Sequence, residues 1–218
     1  MELKIILLII FGAVSIIYLI TLGFKPGIFQ FILKGLLMPF LLAIYTASVG
    51  INNIFLPVVL ALIFAWAGDV LLLKITNILW FNLGLASFLI GHICYIIAIY
   101  GYINPFNIPV LLISIIIAAC LGVLIYKTVK PGRQMKIPVM AYETVILIMA
   151  VFALQLFLSQ FITYGKIFGL LIFSGSICFV ISDTLLALRT FRKVKVYFGV
   201  MITYIAAQLF ITLGFCMV

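Results

Sequence analysis

The chain has 218 residues, of which 68% are hydrophobic and 8% charged, with a formal net charge of +9 and a mean hydropathy of +1.49. Soluble domains carry roughly 25% charged residues, so this composition excludes a soluble core and points to an integral membrane protein. The apolar runs are continuous rather than alternating, which excludes a barrel and leaves helices, each needing about 20 apolar residues to cross a bilayer.

Eight apolar segments follow one another, at about 3–23, 34–50, 54–73, 78–100, 106–126, 137–159, 166–188 and 196–217. They predict an all-α polytopic bundle of eight transmembrane helices in a single membrane domain, 1–218. The first segment is too long for a signal-peptide core and lacks a small-residue cleavage site, so it is read as a helix. Asn52-Asn53 and Asn104-Pro105 carry turn-forming residues, as tight connections between antiparallel helices require.

The cations orient this bundle. With eight crossings, the termini and even-numbered connectors carry only Lys4 and Lys166. The odd-numbered connectors carry Lys25, Lys34, Lys74, Lys127, Lys130, Arg133, Lys136, Arg189, Arg192, Lys193 and Lys195. The positive-inside rule therefore puts the odd connectors in the cytoplasm and both termini outside, with the bacterial inner (cytoplasmic) membrane as the expected location. Lys and Arg in such clusters meet anionic headgroups, and membrane lipids rather than nucleic acid are the partners they imply.

Two acids stand within apolar runs, Asp69 in the third helix and Asp183 in the seventh, out of only four acidic residues. A carboxylate in hydrocarbon is costly enough to mark a functional site. Asp69 lies five residues before Lys74 and Asp183 six before Arg189, so both sit about 7–9 Å from the cytoplasmic ends at 1.5 Å per residue. Phe64-Ala65-Trp66-Ala67-Gly68-Asp69 and Phe179-Val180-Ile181-Ser182-Asp183, each followed by leucines, echo one another on helices running the same way, which suggests a parallel 4+4 pseudo-repeat. Neither acid has a Lys or Arg in the helices at its depth. Two carboxyl groups in different protonation states are the usual equipment for combined acid and base work.

Further polar residues gather around them. Gly84, Phe88, His92 and Tyr95 share one face of the fourth helix, and His92, the sole histidine, is either a hydrogen bond to a neighbouring helix or a proton carrier or substrate contact. Glu143 is expected to reach the interface or Lys136, and Tyr142, about 100° away around the same helix, need not face the same cavity. Tyr204 and Gln208 lie four apart on the eighth helix, as interhelical glue or as site residues. Gly175, Phe179 and Asp183 form a stripe in which the glycine admits a close neighbour, Ser182 lies beside the acid, and Ser176 and Thr184 bond local backbone. Cys94, Cys120, Cys178 and Cys216 all fall in apolar segments without metal-ligand spacing and are read as packing residues. Neither cofactor nor metal is expected.

The segments Phe64–Leu72, Gly84–Tyr95, Pro138–Tyr142, Phe179–Asp183 with Leu185-Leu186-Ala187, and Thr203–Gln208 together resemble the YhhN-like lysoplasmalogenase family of eight-helix membrane proteins. The likeness runs from Lys34 to Gln208, with one departure: Lys34-Gly35 stands where many members carry Lys-Pro, before a family-like Leu37-Met38-Pro39. The resemblance implies hydrolysis of the vinyl ether bond of lysoplasmalogens to a fatty aldehyde and a glycerophospho-ethanolamine or -choline. Asp69 and Asp183 would be catalytic and a lysophospholipid the substrate. His92, Tyr142, Glu143, Ser182, Tyr204 and Gln208 would bind or support, and Lys34, expected at the cytoplasmic mouth, would meet the phosphate. A small proton-coupled transporter using the Asp and His residues as a relay is the rival reading.

Overall fold

A computed structural model describes residues 2–25, 27–74, 78–159 and 166–218. Eight α-helices follow in order: α1 Glu2–Thr21, α2 Ile28–Val49, α3 Leu56–Leu71, α4 Ile78–Tyr100, α5 Ile108–Val129, α6 Lys136–Ser159, α7 Lys166–Arg192 and α8 Tyr197–Phe215. Single 3₁₀ turns occupy Ile51–Asn53, Leu72–Lys74 and Arg133–Met135, and no strand occurs among the described residues. The third and sixth connectors, at 75–77 and 160–165, and the side chains of Lys74 and Lys166 lie outside the described residues.

Seven of the helices are long and apolar enough to cross a membrane. The exception is α3, which has 16 α-helical residues where 20 are predicted. It is about 24 Å long at 1.5 Å per residue, and the 3₁₀ turn over Leu72–Lys74 adds about 6 Å at 2.0 Å per residue. Together they reach the roughly 30 Å of a hydrocarbon core.

The chain folds as two compact units, Met1–Tyr95 with Phe215–Met217 and Ile96–Gly214 with Val218. In the first, α2 packs against both α1 and α3, around the buried side chains of Leu37, Leu41, Tyr45 and Leu62. α4 joins α3 through small residues: Ser87 Oγ donates to the Phe64 carbonyl at 2.6 Å. The Phe88 ring lies so close over Gly68 that a Cβ there would stand 2.7 Å from it. Lipid tails are as apolar as leucine, so such close backbone approach, rather than a hydrophobic drive, holds membrane helices together.

In the second unit, α6 packs against α5 and α7. Gln155, fully buried, anchors the connector before α5: its Nε2 donates to the Asn107 carbonyl at 2.7 Å, and its Oε1 accepts from the Asn107 N–H at 3.4 Å. Asn107 in turn caps α5, its side-chain oxygen accepting from the Val110 N–H. Along α7 and α8 the expected close approach occurs at Gly175, where a Cβ would meet Ile211 and the Ala207 carbonyl at 2.6 and 2.9 Å. Ser176 and Thr184 bond the carbonyls of Phe173 and Val180 in their own helix, as their residue types predict. All four cysteines are free thiols. Of the seven long helices, α5 is the least buried and α8 the most, which leaves the isoleucines and leucines of α5 to face lipid.

Candidate functional site

Each unit brings one aspartate against a polar side chain from the helix before it. In the first, Lys34 on α2 and Asp69 on α3 form an ion pair at 3.2 Å, with side-chain exposures of only 9% and 3%. This corrects two expectations. Asp69 does have a cation at its depth, and Lys34 is held by it rather than standing at a phosphate-binding mouth. The physical reason is that α2 begins at Ile28, six residues before the predicted start, because Phe29 to Leu33 continue its apolar face. Lys34 is thereby drawn more than a turn into the helix, where its long stem delivers the ammonium sideways.

A proline helps hold this pair in register. Pro39 lies inside α2 and has no N–H to give to the carbonyl four residues earlier, which is that of Gly35. Trp66 on α3 fills the vacancy, its Nε1–H donating to the Gly35 carbonyl at 2.9 Å. Trp66 and Asp69 are three apart on one helix face and Gly35 adjoins Lys34, so the indole contact sets α2 against α3 beside the ion pair. Neither Trp66 nor Gly35 is among the sequence-predicted site residues. The signal was there in Pro39, which orphans one identifiable carbonyl.

His92 is buried on α4, and its Nδ1 lies 2.7 Å from the Phe88 carbonyl one turn back in its own helix rather than on a neighbour. A carbonyl only accepts, so Nδ1 carries a proton, and in the neutral ring Nε2 is the acceptor. Phe88, stacked over Gly68, thus links the histidine's helix to the residue preceding Asp69.

In the second unit, Tyr142 on α6 donates its hydroxyl to Asp183 Oδ2 on α7 at 3.1 Å. The two line a small cavity of about 40 Å³ together with Glu143 and Thr184, in otherwise apolar walls from α5, α6 and α7. Tyr142 and Glu143 face one cavity, which their spacing around the helix left open. It spans three helices, wide enough to meet side chains 100° apart. Nor does Glu143 pair with Lys136: that ammonium lies 5.5 Å from the centre of the Tyr126 ring, while Oε1 of Glu143 is buried with no hydrogen-bond partner.

The remaining predicted residues divide. Ser182 faces α8, donating to the Val200 carbonyl at 3.1 Å, so it joins helices beside Asp183. Tyr204 packs edge-on against Phe179, ring centres 6.0 Å apart, and Gln208 is buried one turn further along α8.

The two arrangements share a plan. Lys34 and Tyr142 each stand six residues beyond the first residue of their helix, Ile28 and Lys136, and each meets the aspartate of the next helix. Such an arrangement is that of a polytopic helical membrane protein with carboxylates held at fixed depth inside it. The chain belongs to the YhhN family, which it matches over residues 29–215. No curated protein and no solved structure matches it.

Proposed function

We propose that this protein is a membrane hydrolase that cleaves the vinyl ether bond of lysoplasmalogens. Membership of the YhhN family supports this reading, and the observation that carries it is Asp183, hydrogen-bonded by a phenol within an apolar cavity. Vinyl ether hydrolysis begins when an acid protonates the carbon beta to the ether oxygen, giving an oxocarbenium ion. Water adds to that ion, returning a proton to the acid, and the resulting hemiacetal collapses to a fatty aldehyde and the glycerol hydroxyl.

The two aspartates suit different roles in this sequence. Asp69 is held by an ammonium at 3.2 Å, so its part is that of a paired carboxylate rather than of a proton donor. Asp183 accepts a hydrogen bond from a neutral phenol, which suits the acid that gives a proton to carbon and recovers one from water. Tyr142 orients that carboxyl group.

Purified protein should release aldehyde from a lysoplasmalogen and leave its alkyl-ether analogue and an ester lysophospholipid intact, with products read by mass spectrometry. Asp183→Asn should lower the rate about 10²–10⁴-fold, the usual worth of a positioned general acid, and Asp69→Asn comparably, while both variants still insert and purify. Full activity in either variant overturns the mechanism. Transport of a lipid or solute without aldehyde would point instead to a carrier.

A further inference from the structure

The second unit carries a groove that the chemistry above does not use. It runs between α5 and α6 with a volume of about 800 Å³, inside the roughly 300–1,000 Å³ typical of small-molecule sites. Leu111 and Phe152 lie at one end, Lys127 and Met140 at the other. From Leu111 to Lys127 it extends about 24 Å along α5, more than the roughly 15 Å of one leaflet's hydrocarbon. Its floor on α5 is made of small residues, Ala118, Ala119 and Gly122.

Three features give the groove a polarity that a mere lipid-facing crevice lacks. Lys127 puts a cation at the end that the positive-inside rule assigns to the cytoplasm. Glu143, whose Oε1 has no hydrogen-bond partner, stands in the wall opposite Gly122, where a Cβ would lie 3.6 Å from that oxygen. Finally, Glu143 and Leu147 wall both this groove and the smaller cavity holding Asp183.

We propose that the groove is the berth of a single-chain phospholipid that slides in sideways from the inner leaflet. Its phosphate rests against Lys127, its chain lies on Ala118, Ala119 and Gly122, and its linkage region sits at Glu143, beside the Asp183 cavity. Lys127 and Gly122 are about 7 Å apart along α5, which suits a phosphate and the chain linkage a glycerol away. Glu143 accepts a hydrogen bond from the glycerol hydroxyl, completing the oxygen that now has no partner. The proposal rests on the hydrolase reading for its substrate class, but binding in the groove is measurable without turnover.

The test uses the full chain in nanodiscs of phosphatidylcholine and phosphatidylglycerol. A lysophospholipid bearing a diazirine in an ester-linked chain, which has no vinyl ether to lose, is photolysed there and the adducts are mapped by peptide mass spectrometry. Adducts should concentrate on residues 118–127 and 143–152 and be competed by unlabelled lysophospholipid. Ala119→Trp, on an exposed face of α5, should cut them about tenfold. It should also raise KM for long-chain substrate by a similar factor, with kcat kept. Adducts spread evenly over all lipid-facing helices and unchanged in Ala119→Trp would overturn the berth, as would a cysteine crosslink at Ala119 trapping two copies of the chain face to face. Groove adducts without turnover of any vinyl ether would leave the berth standing and remove the hydrolase. Turnover with evenly spread adducts would do the reverse.

Discussion

Lys34 and Asp69 are almost wholly removed from solvent and 3.2 Å apart, which makes each the condition for the other's presence. Taking either charge out of water costs several kcal/mol, offset by the partner and by hydrogen bonds. Removing one partner strands the other: Lys34→Met should destabilise the protein by about 3–5 kcal/mol, whereas the double change Lys34→Met with Asp69→Leu should recover most of that loss. Thermal unfolding in detergent, followed by near-ultraviolet circular dichroism, reads both. A double variant no more stable than Lys34→Met alone would show that the pair is not what the single change disrupts. The recovered double variant should still lack aldehyde release, because the carboxylate is gone. That separates the ion pair's part in stability from its part in chemistry. Asp183 behaves differently at this scale: its phenolic partner leaves no charge stranded, so Tyr142→Phe should weaken turnover more than folding.

Among the elements, α2 and α3 are joined where Pro39 leaves the Gly35 carbonyl without its helical donor and the Trp66 indole supplies one. Trp66 is 42% exposed, but its surroundings are hydrocarbon, which offers the carbonyl no substitute. Trp66→Phe keeps the ring and removes the donor, and should cost about 1–3 kcal/mol, the range for an unsatisfied buried acceptor. Restoring the N–H from within α2 by Pro39→Ala should make the Trp66→Phe change nearly neutral, a coupling that a double-mutant cycle measures. If the cycle shows no coupling, the indole bond does not serve the proline's vacancy. In the second unit α6 and α7 reach the same result with different residues, a Tyr142 hydroxyl on Asp183.

For the whole molecule, eight apolar runs of near-spanning length were enough to read the number and order of helices, because burial in lipid leaves a continuous signal. Asp69 and Asp183 were legible because acids are rare in such runs. Their partners were not. Lys34 looked like a helix-flanking cation because a lysine can end a span or enter it at similar cost when its stem is long, and which occurs depends on a neighbour's carboxylate. Glu143 pointed to Lys136 by spacing, but Tyr126 offered that ammonium a ring, a competition between helices that no local pattern records.

The topology depends on α3, whose 16 residues and 3₁₀ turn only just match the hydrocarbon core. If α3 failed to cross, every later connector would change sides. Lys127, Lys130, Arg133 and Lys136, with Arg189, Arg192, Lys193 and Lys195, would then lie outside, against the positive-inside rule. Eight crossings, with the positive-inside rule, are therefore the expected topology, with the connector between α5 and α6 in the cytoplasm and the one between α2 and α3 outside. In a background with the four native cysteines replaced, Asn52→Cys should react with a membrane-impermeant maleimide in intact cells. Gly132→Cys should react only after permeabilisation. Labelling of Gly132→Cys in intact cells would mean that α3 stops short of crossing, and would put the Lys127 end of the α5–α6 groove in the outer leaflet.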